Sequence, residues 1–245
     1  MEIPCTTIPA LPPLISWSDT ASNRCACEDI VSHWTAYDNT TFLVDIGIYH
    51  PRFHEVLTRD EKEQELRYKP VISRQRFVVS RTILRHILLY ILSEENIADI
   101  VLIRNEHGRI LVKDHLSVYI SLSYSGTCAA ITVGKRKLGS DIELIRPLRD
   151  KKIVSSPIFN NSPGSHDKER TQRVVHTWTL VESYAKLYDK NPYPLLNATT
   201  LFTNANFVSY CINQQMIFSL ASDQEKFTDA LVWLDTSGIK KNPPV

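Results

Sequence analysis

Leu138-Gly139-Ser140-Asp141-Ile142-Glu143 and, about forty residues on, Trp178-Thr179-Leu180-Val181-Glu182-Ser183-Tyr184-Ala185-Lys186 decide the reading of this chain. The first stretch sets two carboxylates one residue apart around an apolar residue. Side chains alternate along a strand, so Asp141 and Glu143 point to the same side. The second stretch reads as helix, with Glu182 and Lys186 at i and i+4 on one face. Together they offer three carboxylates for a hard divalent cation and a lysine for an anionic substrate. Taken singly, each has a plain alternative. An Asp-x-Glu strand can be a solvated face, and a Glu-x-x-x-Lys pair can be a surface ion pair worth a few tenths of a kcal/mol.

The neighbouring sequence gives these motifs context. Ile120-Ser121-Leu122-Ser123-Tyr124-Ser125-Gly126 reads as a strand running into a turn, with a return strand over 129–133. Residues 100–104 and 109–112 flank the turn Asn105-Glu106-His107-Gly108. Thr58-Arg59-Asp60-Glu61 is a capping box that opens a charged helix reaching about Tyr68. Pro70 interrupts it, and a second helix runs from about Ser73 to Leu92 with apolar residues at helical spacing. Arg74, Arg81 and Arg85 form a separate basic stripe, and Arg74 and Arg85 read as a solvated face. Phe42–Tyr49 alternates as a strand, and three short strands follow at 207–212, 216–220 and 230–234. Residues 146–170 read as a long mobile loop, Thr171–Asp189 as the second motif's helix, and residues 1–20 as an extended lead-in.

The ordered set resembles the Sfp-type 4′-phosphopantetheinyl transferases. Their G-[VI]-D-[VI]-E strand corresponds to Gly139–Glu143, and their W-[ST]-x-K-E-[AS]-x-x-K helix to Trp178–Lys186. The N-[LI]-S-H-S-G strand corresponds to Ile120–Gly126, the G-K-P turn to Gly108-Arg109, and the basic helix to Arg74–Arg85. The landmarks cover about residues 55–190. The resemblance implies an α+β fold of two similar α/β subdomains, residues 1–125 and 126–245, related by a pseudo-twofold with the active site in the cleft between them.

The activity it implies is transfer of the 4′-phosphopantetheine arm of coenzyme A to a serine of an acyl or peptidyl carrier protein. Such carriers serve polyketide, nonribosomal peptide or fatty-acid systems. Asp141, Glu143 and Glu182 would hold Mg²⁺, Glu182 would act as base, and Lys186 would pair with a phosphate oxygen. Arg76, Arg109, Ser123, Tyr124 and, more loosely, Lys62 would bind coenzyme A. Trp178 would pack between the helix and the carboxylate strand. Carrier docking would use an apolar patch beside the cleft, steered by Arg149, Lys151 and Lys152.

Three positions depart from the family pattern. Val181 stands for a lysine, which should raise the pKa of Glu182. Tyr124 stands for a histidine and carries no charge at neutral pH. Asn191-Pro192-Tyr193-Pro194 replaces a glycine-containing turn. The losses leave open a catalytically impaired member that binds coenzyme A or a carrier as a scaffold.

Composition sets the remaining limits. The 245 residues carry a formal net charge of +1, so nucleic acid and anionic membrane are not expected partners, and any anion site must be local. No apolar run is long enough to span a bilayer, and the N-terminus lacks a signal-peptide pattern, so the expectation is a cytoplasmic monomer. Five cysteines argue against a disulfide framework, and Cys25-Ala26-Cys27 is too tight for the usual zinc spacing.

Overall fold

The computed structural model describes residues 5–8, 14–16, 24–150, 153, 155–156, 159, 167–197, 202 and 204–235. Most of the 146–170 loop, including Lys151 and Lys152, and most of the N-terminal lead-in lie outside these residues. The chain is mixed α+β, with two sheets. One has the order β1-β9-β10-β8, the other β2-β11-β3-β7-β6-β5-β4.

Strands β3 (Asn39–Asp45), β6 (Tyr119–Ser125) and β7 (Cys128–Gly134) form the antiparallel centre of the larger sheet. The hairpin between β6 and β7 turns on Gly126 and Thr127, with Gly126 at φ 58°, a conformation that favours glycine. β5 (Ile110–Val112) and β4 (Leu102–Arg104) extend the sheet beyond β6. On the other side β11 (Asp229–Asp235) pairs in parallel with β3 and with β2 (Leu14–Ser16). The smaller sheet holds β8 (Leu138–Leu144), β10 (Met216–Ser222), β9 (Asn206–Ile212) and β1 (Thr6–Ile8).

Helix α1 (Arg24–Ala36) had no counterpart in the sequence reading. Helix α2 (Arg59–Leu66) begins at the expected capping box: Thr58 Oγ1 accepts from the Glu61 N–H, and the Glu61 carboxylate accepts from the Thr58 N–H. Pro70 is the N-cap of α3 (Val71–Leu92) rather than a residue inside it. The face of α3 carrying Phe77, Val78, Ile83, Leu84, Ile87 and Leu88 packs on Phe42, Val44, Ile120, Ile131 and Val133 of the larger sheet. Helix α4 (Asp167–Leu187) starts earlier than the sequence suggested and packs on β8 and β10 of the smaller sheet. A short turn of helix, α5 (Pro192–Leu195), is capped by Asn191.

The basic stripe on α3 is not solvated. Arg81 is 3% exposed and Arg85 1%, and both face Glu61 of α2, at 3.7 and 2.7 Å. Arg85 also donates to the Ile100 carbonyl. Two buried cations on one buried acid are tolerated only while that acid keeps its charge. Glu61→Gln is therefore expected to cost about 3 kcal/mol or more, read by urea unfolding. A loss below about 1 kcal/mol would contradict this account of the pair, being the size seen at exposed ion pairs.

The two sheets meet where β6 lies beside β8. Ser121 Oγ accepts from the Ser140 N–H (2.9 Å), and Ser125 Oγ accepts from the Leu144 N–H (2.8 Å). The contacts advance together along both strands, so β6 and β8 run in the same sense. Serine hydroxyls thus stand in for a backbone ladder at this seam, which satisfies buried donors.

Candidate active site at the seam

Alternation along β8 turns Gly139, Asp141 and Glu143 toward α4, while Leu138 and Ile142 enter the apolar layer between the sheets. Gly139 is required by proximity. A Cβ there would overlap the Ser183 carbonyl oxygen and the Leu187 nitrogen of α4. That close approach brings Lys186 Nζ to 2.7 Å from Asp141 Oδ1 and 3.1 Å from the Ser140 carbonyl. Glu182 Oε2 lies 3.9 Å from the same ammonium. Glu143 Oε2 accepts from Ser125 Oγ at 2.8 Å.

Crowding and burial set the electrostatics. Burial pushes the Glu182 carboxyl up to about 7; Lys186 opposes this, and Asp141 and Glu143 add to it. Asp141 and Glu143 are also raised, chiefly by burial. Burial alone would lower Lys186, but Asp141 and Glu182 outweigh it and hold the ammonium above its ordinary value.

A carboxyl whose folded pKa is raised binds its proton more tightly when folded. Stability then falls as pH climbs from the unfolded value, near 4.5, through about 7. Without divalent cations, Tm is expected to drop between pH 5 and pH 7.5, about the window between those two values, and Glu182→Gln to flatten that slope. Parallel wild-type and variant profiles would contradict the assignment.

The donor chemistry, carboxylate oxygens, is the kind a hard cation takes. Three carboxylates face one ammonium, which leaves a surplus of negative charge, and Asp141 Oδ2 is buried without a hydrogen-bond partner. Among the described residues, no group of three or more His, Cys, Asp or Glu is arranged to hold a metal ion as the side chains stand. Lys186 already occupies one oxygen that such an ion would use.

A cleft of about 640 Å³ opens beside this cluster, between α3, β6 and the end of α4, and Lys186 belongs to both. Arg76, Arg81, Arg104, His107, Arg109 and Lys190 supply its basic lining. Arg76 donates from Nη2 to the Gly126 carbonyl (2.6 Å), while its Nε is buried and unpaired. Burial, with Arg104 adding to it, pushes Arg81 down to about 10, so an anion in the cleft would gain by its charge. Arg81, Arg104, His107 and Lys190 were not singled out as site residues by the sequence. They lie on α3, β4, the following turn and the end of α4, and only the fold assembles them.

The sequence candidates divide. Arg76 and Tyr124 line the cleft, and the Tyr124 hydroxyl bonds Ser80 Oγ at 2.8 Å. Arg109 lines it too, but its guanidinium is committed. It donates to Asp189 Oδ1 (2.8 Å), the Leu138 carbonyl (2.9 Å) and the carbonyls of Lys186 and Leu187. It thereby caps the end of α4, where carbonyls lack helical partners. Ser123 faces away from the cleft, and its buried Oγ has no partner. Lys62 is exposed on α2, outside the cleft lining. Val181 is fully buried with Trp178, Ile153, Phe159 and Leu196, so the missing lysine is replaced by core. Trp178 belongs to that same cluster, with Tyr193 at 6.1 Å, rather than to a wedge against β8.

No family model matches the chain, and no characterised protein matches its sequence. Among the described residues no helix is long and apolar enough to cross a membrane.

Proposed function

We propose that this protein is a cytoplasmic 4′-phosphopantetheinyl transferase of the Sfp type, acting on an apo carrier protein. One observation carries the reading: the three motif carboxylates and Lys186 meet at the rim of a basic cleft, the charge pattern that a diphosphate and a cation require. The packing of α3 on the larger sheet and α4 on the smaller one supports two related α/β units around the seam.

In this reading Arg76 and Arg81 bind the nucleotide phosphates of coenzyme A, and Tyr124 donates one hydrogen bond. Asp141, Glu143 and Glu182 would hold Mg²⁺, which supplies neutralisation of the diphosphate charge. Glu182, or a water it orients, takes the proton of the carrier serine hydroxyl as that oxygen bonds to the β-phosphorus. The bond from phosphorus to the bridging oxygen breaks, and 3′,5′-ADP leaves. Lys186 pairs with a phosphate oxygen as a point charge.

The Asp141–Lys186 ion pair and the buried Val181 favour a second reading, a binding protein without turnover. Intact-mass measurement of an apo carrier after incubation with coenzyme A and Mg²⁺ separates them. A phosphopantetheine adduct supports the transferase. No adduct across several carriers, with calorimetric binding of coenzyme A retained, supports the binder.

A further inference from the structure

We propose that the corner joining α2 to α3, residues 66–72, is a docking surface for an acidic protein. Resting on the transferase reading, that protein is the apo carrier. Leu66 is 70% exposed, Val71 68% and Ile72 40%, three exposed apolar residues within one short corner of the chain. Arg67 and Lys69 are exposed between them, and Lys62 is exposed one helical turn before Leu66. Two exposed acids of α2, Asp60 and Glu63, line one surface pocket with Arg67 and Tyr68, and Glu63 is paired with Arg59; residues 66–72 themselves carry Arg67 and Lys69 and no acid.

The corner is also fixed in place. The Tyr68 N–H donates to the Glu65 carbonyl, the Ser73 and Arg74 N–H groups donate to the Pro70 carbonyl, and Arg74 Nε donates to the Tyr68 carbonyl. The Tyr68 ring lies 5.5 Å from that of Phe77. Leu66 and Val71 are thus presented largely to solvent by a hydrogen-bonded turn, with Ile72 partly covered beside them.

Two features select the partner. Cations ringing an apolar centre complement acidic residues around apolar ones. The corner is also continuous with the cleft, since Tyr68 and Ser73 belong to both. A protein seated on residues 66–72 therefore stands at the mouth through which a cleft-bound ligand is reached. This puts docking on the basic corner rather than on the 146–170 loop.

The test is steady-state loading of an apo acyl carrier protein by the full chain and by two variants, Leu66→Ser/Val71→Ser/Ile72→Ser and Arg67→Glu/Lys69→Glu. Each is expected to raise KM for the carrier about tenfold or more, with KM for coenzyme A, kcat and Tm unchanged. An unchanged carrier KM in both variants, with the wild type active, overturns the docking surface and leaves the transferase reading intact. If the wild type loads no carrier, calorimetry with the same apo carrier decides. Binding weakened by both variants supports the corner, and only the transferase reading fails. Equal or absent binding overturns the corner. Loss of co-sedimentation with phosphatidylserine vesicles, with carrier binding unaffected, also overturns it, in favour of a membrane surface.

Discussion

Asp141→Asn is expected to lower the rate of carrier loading about a hundredfold or more, the scale for losing one charged group at a phosphoryl-transfer centre. Asparagine keeps the shape of the side chain, so β8 and α4 stay in place. What goes is the charge that holds Lys186 Nζ at 2.7 Å and the unpaired Oδ2 open to a cation. The loss should fall on kcat and on the Mg²⁺ concentration required, since the interaction belongs to the reacting phosphate. Arg76→Gln should differ, raising KM for coenzyme A with a smaller change in kcat, because Arg76 lines the cleft and, among the described residues, has no ion pair with the motif carboxylates. Wild-type kcat in Asp141→Asn would remove the carboxylate cluster from the chemistry.

Gly139→Ala is expected to cost about 3 kcal/mol of stability and most of the activity. The added methyl meets the backbone of Ser183, Lys186 and Leu187, and a backbone cannot rotate aside as a side chain can. Helix α4 must shift, carrying Glu182 and Lys186 away from Asp141. A displacement of about 1 Å at a reacting centre can cost about a hundredfold in rate. Unfolding by urea and loading kinetics on the same preparation read both effects. Unchanged values would mean that α4 does not press on β8 as described.

The same glycine explains how much of the site the sequence made legible. Gly139-x-Asp141-x-Glu143 fixes two carboxylate side chains and a side-chain-free position on one face through strand alternation, and Glu182 and Lys186 follow from helical spacing. Both rules are local. The capping box at Thr58 and the turn at Gly126 were readable for the same reason. Arg109 was not: its partners, Asp189 and the end of α4, lie about eighty residues away, so a residue that looked like a phosphate ligand is tied to a helix end. Arg85 looked solvated because nothing in its own helix reveals that Glu61 of α2, which also faces Arg81, neutralises it. The basic cleft draws on segments from Arg76 to Lys190, and no spacing rule joins them. Helix α1 has apolar residues at helical spacing, Ile30 and Trp34 among them, but only over about two turns, too short a run to stand out in the sequence.

Val181, where the resemblance leads one to expect a lysine, also takes on a physical meaning. That position faces a core cluster with Trp178 and Leu196, so a lysine there would have to be buried among apolar side chains. The positive charge near the carboxylates rests on Lys186, whose carboxylate neighbours hold it above its ordinary pKa. On the transferase reading, this one ammonium would serve both as structural partner of Asp141 and as phosphate ligand.

The most direct measurement is a crystal structure with coenzyme A and Mn²⁺, in which anomalous scattering locates the metal. The account predicts one peak bounded by Asp141, Glu143 and Glu182, with the diphosphate reaching it and the nucleotide in the cleft beside Arg76 and Arg81. A peak held by other residues, or coenzyme A bound away from Lys186, would contradict it.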